Sequence, residues 1–356
     1  MPRTRFLRAS LREVEPYTPG EQPKLPTLTK LNTNENPYPP PASVLRALAE
    51  LDGDRLRRYP DPVALELRRA AAELYGCAPE NVIATNGSDE LLRLVLTAFV
   101  EPGDAVVLPD VTYSLYETLI AIHGATMTRV PLRPDFSFDE AMVDTAGALM
   151  FLCHPNAPTG QPAAPALIEA ALERFAGVVV VDEAYADFAE RSYASALPRR
   201  HDNVIVLRTL SKSYSLAGMR VGVGLADAAL IDALMAVKDS YNLDVAAQVT
   251  ATAALRDQAA HAESLAKIKA TRARLTAALR ALGLDPLPSQ ANFVLTRMGS
   301  RARARSVWAA LRADGILVRY FDRPRVDDCL RISVGADAEI DRLLARLEVH
   351  LASAPG

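Results

Sequence analysis

The chain has 356 residues, of which 49% are apolar and 23% charged, with a formal net charge of −3. That length holds a large core and about two domains, and so small a net charge excludes bulk electrostatic attraction to nucleic acid or an anionic membrane. The three cysteines, Cys77, Cys153 and Cys329, are widely spaced and form neither a disulfide framework nor a metal-ligand pair, which fits a reducing cytosol. The start of the chain carries no apolar segment of signal-peptide length, and no stretch is apolar for the length of a membrane span. The expected location is therefore cytoplasmic. The five histidines lack metal-ligand spacing, so no metal site is expected.

Residues 1–40 are proline-rich and irregular, either an ordered arm or a loose tail. Helical patterning follows from Ala42 to Leu51, and again from Pro62 to Tyr75 with Asp61 as N-cap. The pattern then alternates. Asn81 to Ala84 reads as strand, followed by Gly87-Ser88-Asp89 and a helix to Val100. Ala105–Leu108 and Thr126–Val130 read as strands around a helix from Tyr113 to His123. Ala148–Cys153, Val178–Val181, Val204–Leu207 and Val221–Leu225 are four more apolar or β-branched runs. Strands interleaved with helices imply βαβ units and a largely parallel, buried sheet. Helical stretches fill Asp227 to Leu282. Strands at Phe293–Thr296, Ile316–Arg319 and Leu330–Val334 then alternate with helices at Arg301–Ala313 and Ala338–Leu351. The expected fold is α/β: a large domain with a mostly parallel central sheet flanked by helices, plus a smaller α/β domain. The boundaries expected are an arm and part of the small domain over 1–50, the large domain over 51–245 and the small domain over 246–356.

Lys212 is the most informative residue. The chain has only six lysines, and between Lys30 and Lys238 this is the sole one. Arginine is used almost everywhere else, and only a deprotonatable amine can form a Schiff base. Pyridoxal phosphate needs such an amine, an acid at its ring nitrogen, a donor at its phenolic oxygen and an anion cradle for its phosphate. Asp182 ends the run Val178-Val179-Val180-Val181, at the strand edge where open α/β sheets bind ligands; the alternative is a loop cap. Tyr185 can reach the phenolic oxygen or simply pack. Two cradles are available for the phosphate. One is Gly87-Ser88-Asp89 opening a helix; the other is Ser211 with Arg220, flanking Lys212. Tyr113 can stack on the pyridine ring or fill the core.

In this order these residues resemble the fold-type I pyridoxal-phosphate aminotransferases, most closely the histidinol-phosphate aminotransferase group. The resemblance covers nearly the whole chain. It includes Asn34-Glu35-Asn36-Pro37, Arg58-Tyr59-Pro60-Asp61, Pro155-Asn156-Ala157-Pro158-Thr159-Gly160, Asp182-Glu183-Ala184-Tyr185, Ser211-Lys212, Ala291-Asn292-Phe293 and Leu330-Arg331-Ile332-Ser333. It implies a homodimer in which Tyr59 reaches the cofactor phosphate of the neighbouring subunit. It also implies that Arg331 receives a substrate carboxylate or phosphate, that Arg319 receives the substrate phosphate, and that Tyr17 and Asn36 lie near the substrate. The reaction implied exchanges an amino group between L-histidinol phosphate and 2-oxoglutarate in histidine biosynthesis. An aromatic amino-acid aminotransferase shares every cofactor residue and would differ only at Tyr17, Arg319 and neighbours such as Tyr241 and Asn242. A threonine-phosphate decarboxylase is a further alternative. A DNA-binding regulator built on this fold would need an N-terminal domain for which the proline-rich start leaves no room. One departure stands out. The residue directly before Pro158, which in the family holds the phenolic oxygen, is Ala157, and alanine donates no hydrogen bond. Either Asn156 substitutes, or Tyr185 carries the contact.

Overall fold

The structure is a computed structural model that describes residues 4–12, 14, 16–23 and 28–353. Strand β1 (Thr29–Leu31) comes first. Seven strands follow: β2 (Val82–Asn86), β3 (Ala105–Pro109), β4 (Thr126–Val130), β5 (Leu149–Cys153), β6 (Val178–Asp182), β7 (Val204–Thr209) and β8 (Val221–Ala226). They form one sheet in the order β2-β8-β7-β6-β5-β3-β4. Every neighbouring pair is parallel except those of β8, which runs antiparallel to both β2 and β7. A second sheet holds β9 (Asp285–Pro286), β10 (Phe293–Arg297), β11 (Ile316–Tyr320) and β12 (Cys329–Ser333), ordered β1-β11-β12-β10-β9. The expected α/β architecture is present, with helices covering the large sheet.

The apolar runs are continuous because both faces of the large sheet are buried. Successive side chains go to opposite sides. Val204 and Val206 pack with the helices Leu65–Tyr75, Pro165–Arg174 and Val245–Arg256. Ile205 and Leu207 pack with the helices Gly87–Phe99, Leu115–His123 and Ala228–Val237. A third cluster, from Leu31 through Val318 to Leu347, covers the small sheet.

One local expectation changes, and one element is new. The helix expected from Pro62 begins at Leu65, because the Asp61 carboxylate accepts from Val63 N at 3.0 Å and Leu65 N at 2.7 Å. Ala64 meanwhile takes a left-handed φ of 48°, so the chain turns before it coils. The stretch from Asp227 to Leu282 is three helices, and the second and third are opened by side-chain caps from Asp244 and Asp257. The helix Pro165–Arg174, with proline at its first position, was not anticipated. No helix among the described residues is long and apolar enough to cross a membrane.

Candidate active site

A cavity of about 940 Å³ opens where the carboxyl ends of β5, β6 and β7 face the small sheet. Tyr17, Ser88, Asp89, Tyr113, Asp182, Tyr185, Ser211, Lys212, Arg220, Arg319 and Arg331 all line it. Residues far apart in the chain thus converge as expected, at the edge where parallel strands present their carboxyl ends.

Lys212 follows β7 in a short loop, and its Nζ donates to Thr33 O at 3.0 Å. Burial, and then the Arg331 charge, push its amine down from 10.5 to about 8. A substantial fraction is therefore neutral and nucleophilic near physiological pH. Asp182 is the last residue of β6, and only 3% of it is exposed. Burial raises its carboxyl from 3.8 to about 6, against donation from Tyr116 Oη and from Ala184 N at 3.0 Å. Tyr116 stacks on Phe151 with ring centroids 4.5 Å apart, which fixes the hydroxyl on the carboxylate. The sequence reading does not single out Tyr116; the available signal is a second tyrosine three residues after Tyr113, in the first turn of the helix Leu115–His123. Tyr113 stands edge-on to Tyr17 at 5.8 Å and to Tyr116 at 5.5 Å, its hydroxyl 3.4 Å from Asp89 Oδ1.

The two cradles expected for a phosphate are one place. The helix Gly87–Phe99 begins without a side-chain cap, so its first N–H groups are not met by the Asn86 side chain. Arg220, at φ 54°, lays its guanidinium beside Ser211 Oγ at 3.3 Å and Asp89 Oδ2 at 3.2 Å. Two glycines make the approach possible. A Cβ on Gly87 would sit 2.5 Å from the Arg220 guanidinium, and one on Gly222 only 2.7 Å from Ser88 N.

Arg319 and Arg331 face each other as partners across β11 and β12. Arg319 donates to Thr18 O at 3.1 Å and Pro19 O at 3.4 Å. Arg331 donates to Asn32 O at 3.0 Å and lies between the rings of Phe293 and Phe321. Its Nε is buried without a hydrogen-bond partner. A guanidinium left so under-satisfied is poised for an anion entering the cavity.

Four expected residues lie elsewhere. Gly87 backs Arg220 without lining the cavity. Asn36 points away, donating to Ser213 O at 2.9 Å and Ser264 Oγ at 3.2 Å, so it braces the lysine loop. Asn156 cannot replace the amide missing at Ala157. It is fully buried, and its Nδ2 already donates to Val111 O at 2.9 Å and Thr159 Oγ1 at 3.1 Å. Tyr59 stands outside the cavity, 80% exposed and stacked on Tyr241 at 4.4 Å.

A buried carboxylate, a softened lysine amine, an uncapped helix start beside Arg220 and a half-satisfied arginine fit pyridoxal phosphate and an anionic substrate. The aminotransferase class I and II family model matches residues 26–347. The chain belongs to that family and is a pyridoxal-phosphate-dependent transaminase of fold type I. It is 45% identical to the histidinol-phosphate aminotransferase of Microcystis aeruginosa, over 96% of this chain and 97% of that one. It is 47% identical to that of Synechocystis sp., over 95% and 96%. The crystal structure of histidinol-phosphate aminotransferase from Sinorhizobium meliloti in complex with pyridoxal-5'-phosphate matches with a TM-score of 0.84 at 32% identity, covering 91% of this chain and 90% of that one. Within the family, this chain belongs with the histidinol-phosphate aminotransferases.

Proposed function

We propose that the chain exchanges an amino group between L-histidinol phosphate and 2-oxoglutarate in histidine biosynthesis. The carrying observation is the Arg319–Arg331 pair, two guanidiniums on adjacent strands facing one cavity, one of them short of partners. Both substrates are polyanions or carry a phosphate, which planar, bidentate donors recognise.

Bound pyridoxal phosphate supplies an aldehyde that captures amines and a ring that delocalises charge from the adjoining carbon. Lys212 would hold the aldehyde carbon and Asp182 the ring nitrogen, with Tyr113 over the ring. Ser88, Asp89, Ser211 and Arg220 would hold the phosphate. Once released from the aldehyde carbon, the Lys212 amine, held down to about 8 by burial and the Arg331 charge, would take the proton from the substrate α-carbon and deliver it to the carbon that Lys212 had held. Tyr116 keeps Asp182 oriented, and the Asp182 negative charge would favour a proton at the ring nitrogen. Tyr17, edge-on to Tyr113 at 5.8 Å, would help cover the ring.

A homodimer is part of the proposal. Leu45, Leu48, Leu56 and Tyr59, close together in sequence, are all exposed, and grouped exposed apolar side chains mark interfaces. Tyr59 of the partner subunit would complete the phosphate cradle. A cytoplasmic location is proposed on the composition and cysteine usage. The domain boundaries are proposed as 1–50, 51–245 and 246–356. Pairing of β1 with β11 supports the first assignment, whereas the packing of helix Val245–Arg256 on helix Leu65–Tyr75 favours moving the last boundary toward residue 257.

The test is a half-reaction. The cofactor-loaded protein receives one amino donor without an oxo acid, and absorbance follows loss of the lysine-bound form. L-Histidinol phosphate should convert far faster than phenylalanine or tyrosine, and Arg319→Ala should slow it about 10- to 100-fold. Preference for the aromatic amino acids, unchanged in Arg319→Ala, would replace this reading with the aromatic aminotransferase. Carbon dioxide release from threonine phosphate would replace it with the decarboxylase.

A further inference from the structure

Three consecutive residues hold three groups of the site. Asn32 O accepts from Arg331 at 3.0 Å, Thr33 O from Lys212 at 3.0 Å, and the Asn34 side chain donates to Tyr185 Oη at 3.0 Å. Asn34 is 2% exposed and held from three sides. Its amide donates to Ser333 Oγ at 2.9 Å, Ser333 Oγ donates back to its Oδ1 at 2.9 Å, and Asn292 Nδ2 donates to its carbonyl at 2.9 Å. Its φ of 57° is one that asparagine tolerates better than most residues.

The consequence lies at Tyr185. A hydroxyl has one proton and two lone pairs. Asn34 occupies a lone pair, and among the described residues no acceptor faces the proton. That proton is therefore free for an acceptor in the cavity. Neighbouring positions offer no substitute: Ala157 lines the cavity without a donor, and the Asn156 amide is already used twice.

We propose that Asn34 is a positioning residue which, by donating to Tyr185, aims that hydroxyl at the cofactor's phenolic oxygen and replaces the amide missing at Ala157. This rests on the roles proposed above for Lys212 and Tyr185. Donation to the phenolate matters most once the lysine-bound nitrogen has lost its proton, because the oxygen then has no internal partner. A well-aimed donor therefore lowers the pH of that transition. The other charged or titratable groups around Lys212 and Tyr185 include Glu35, Asp89, Tyr113, Cys153, Asp182, Arg220 and Arg331. None of them is altered by the substitutions below.

The cofactor-loaded protein is titrated by absorbance from about pH 5 to 10, and pyridoxal phosphate affinity is measured alongside. Asn34→Gly, which tolerates the positive φ, should raise the transition by about one unit and weaken cofactor binding about tenfold. Adding Ala157→Asn should bring the transition back down, since it restores a donor on the same oxygen. An unmoved transition in Asn34→Gly, or a shift that Ala157→Asn does not reverse, overturns the proposal. If Asn34→Gly does not fold, Ser333→Ala releases the same carboxamide and is judged by the same shift and the same rescue. Failure of the underlying reading looks different: the natural protein would show no lysine-bound band at any pH, or Lys212→Ala would retain it.

Discussion

Asp182 carries a charge that is almost wholly buried, and that should be measurable as instability of the cofactor-free protein. Its carboxyl is raised from 3.8 to about 6 by burial. A carboxyl whose folded-state pKa exceeds its unfolded one binds its proton more tightly in the folded state. That contribution is fully present below about pH 4 and is lost as pH rises to about 6. Two units at 1.36 kcal/mol each make it about 3 kcal/mol. Asp182→Asn keeps the shape, can still accept from Ala184 N, and removes the charge. The cofactor-free variant should therefore be more stable than the natural protein at pH 8, by about 2–3 kcal/mol after weaker hydrogen bonding. Near pH 4 the two should converge. With pyridoxal phosphate bound the order at pH 8 should reverse, because the variant has lost the partner of a protonated ring nitrogen. Urea denaturation at about pH 4, 6 and 8, with and without cofactor, reads all of this. Equal stabilities of the cofactor-free proteins at every pH would refute the argument, as would a variant less stable at pH 8.

Gly222→Ala places a Cβ 2.7 Å from Ser88 N. It should push back the start of the helix Gly87–Phe99, destabilise the protein by about 1–3 kcal/mol and weaken cofactor binding; unchanged melting and affinity would show that the proposed phosphate cradle lies elsewhere. Tyr59→Ala should weaken cofactor binding about tenfold through loss of a hydrogen bond to a charged group. Mixed with inactive Lys212→Ala and allowed to exchange subunits, it should regain activity, since one site of each mixed dimer is then intact. No recovery, in a preparation shown to exchange, would count against Tyr59 acting across an interface.

Lys212 and Asp182 were legible because local sequence marks them: a lone lysine among arginines, and an acid closing a run of four valines. Tyr116 was harder, since its value comes from a hydroxyl reaching Asp182 across the sheet, while its neighbours in the chain read only as an apolar helix face. What engages Asn156 was not legible, because the partners of its amide, Val111 O and Thr159 Oγ1, come from loop geometry that no periodicity predicts. The bonds of residues 32–34 were invisible for another reason. Two of the three use backbone carbonyls, at sequence separations of 299 and 179 residues, and every residue type has a carbonyl.

That segment also explains how charge is arranged along the cavity. The lining joins the helix start, Ser211 and Arg220 to the Arg319–Arg331 pair, and the charges of both Arg220 and Arg331 act on Lys212. In the free protein each arginine is held by a modest partner: Arg220 by the exposed Asp89, Arg319 by carbonyls of Thr18 and Pro19, Arg331 by the carbonyl of Asn32. Carbonyls satisfy donors without neutralising charge, so the Arg331 charge still acts on Lys212, second only to burial in holding its amine near 8. A carboxylate arriving at Arg331 cancels much of that repulsion and raises the proton affinity of Lys212. On the proposed roles, the Lys212 amine would lose its proton more easily before the substrate arrives and hold it more tightly once a carboxylate sits at Arg331. An arginine paired beforehand with an aspartate could not make that change, which gives a physical reason for Arg331 to rest on a carbonyl with its Nε unpartnered.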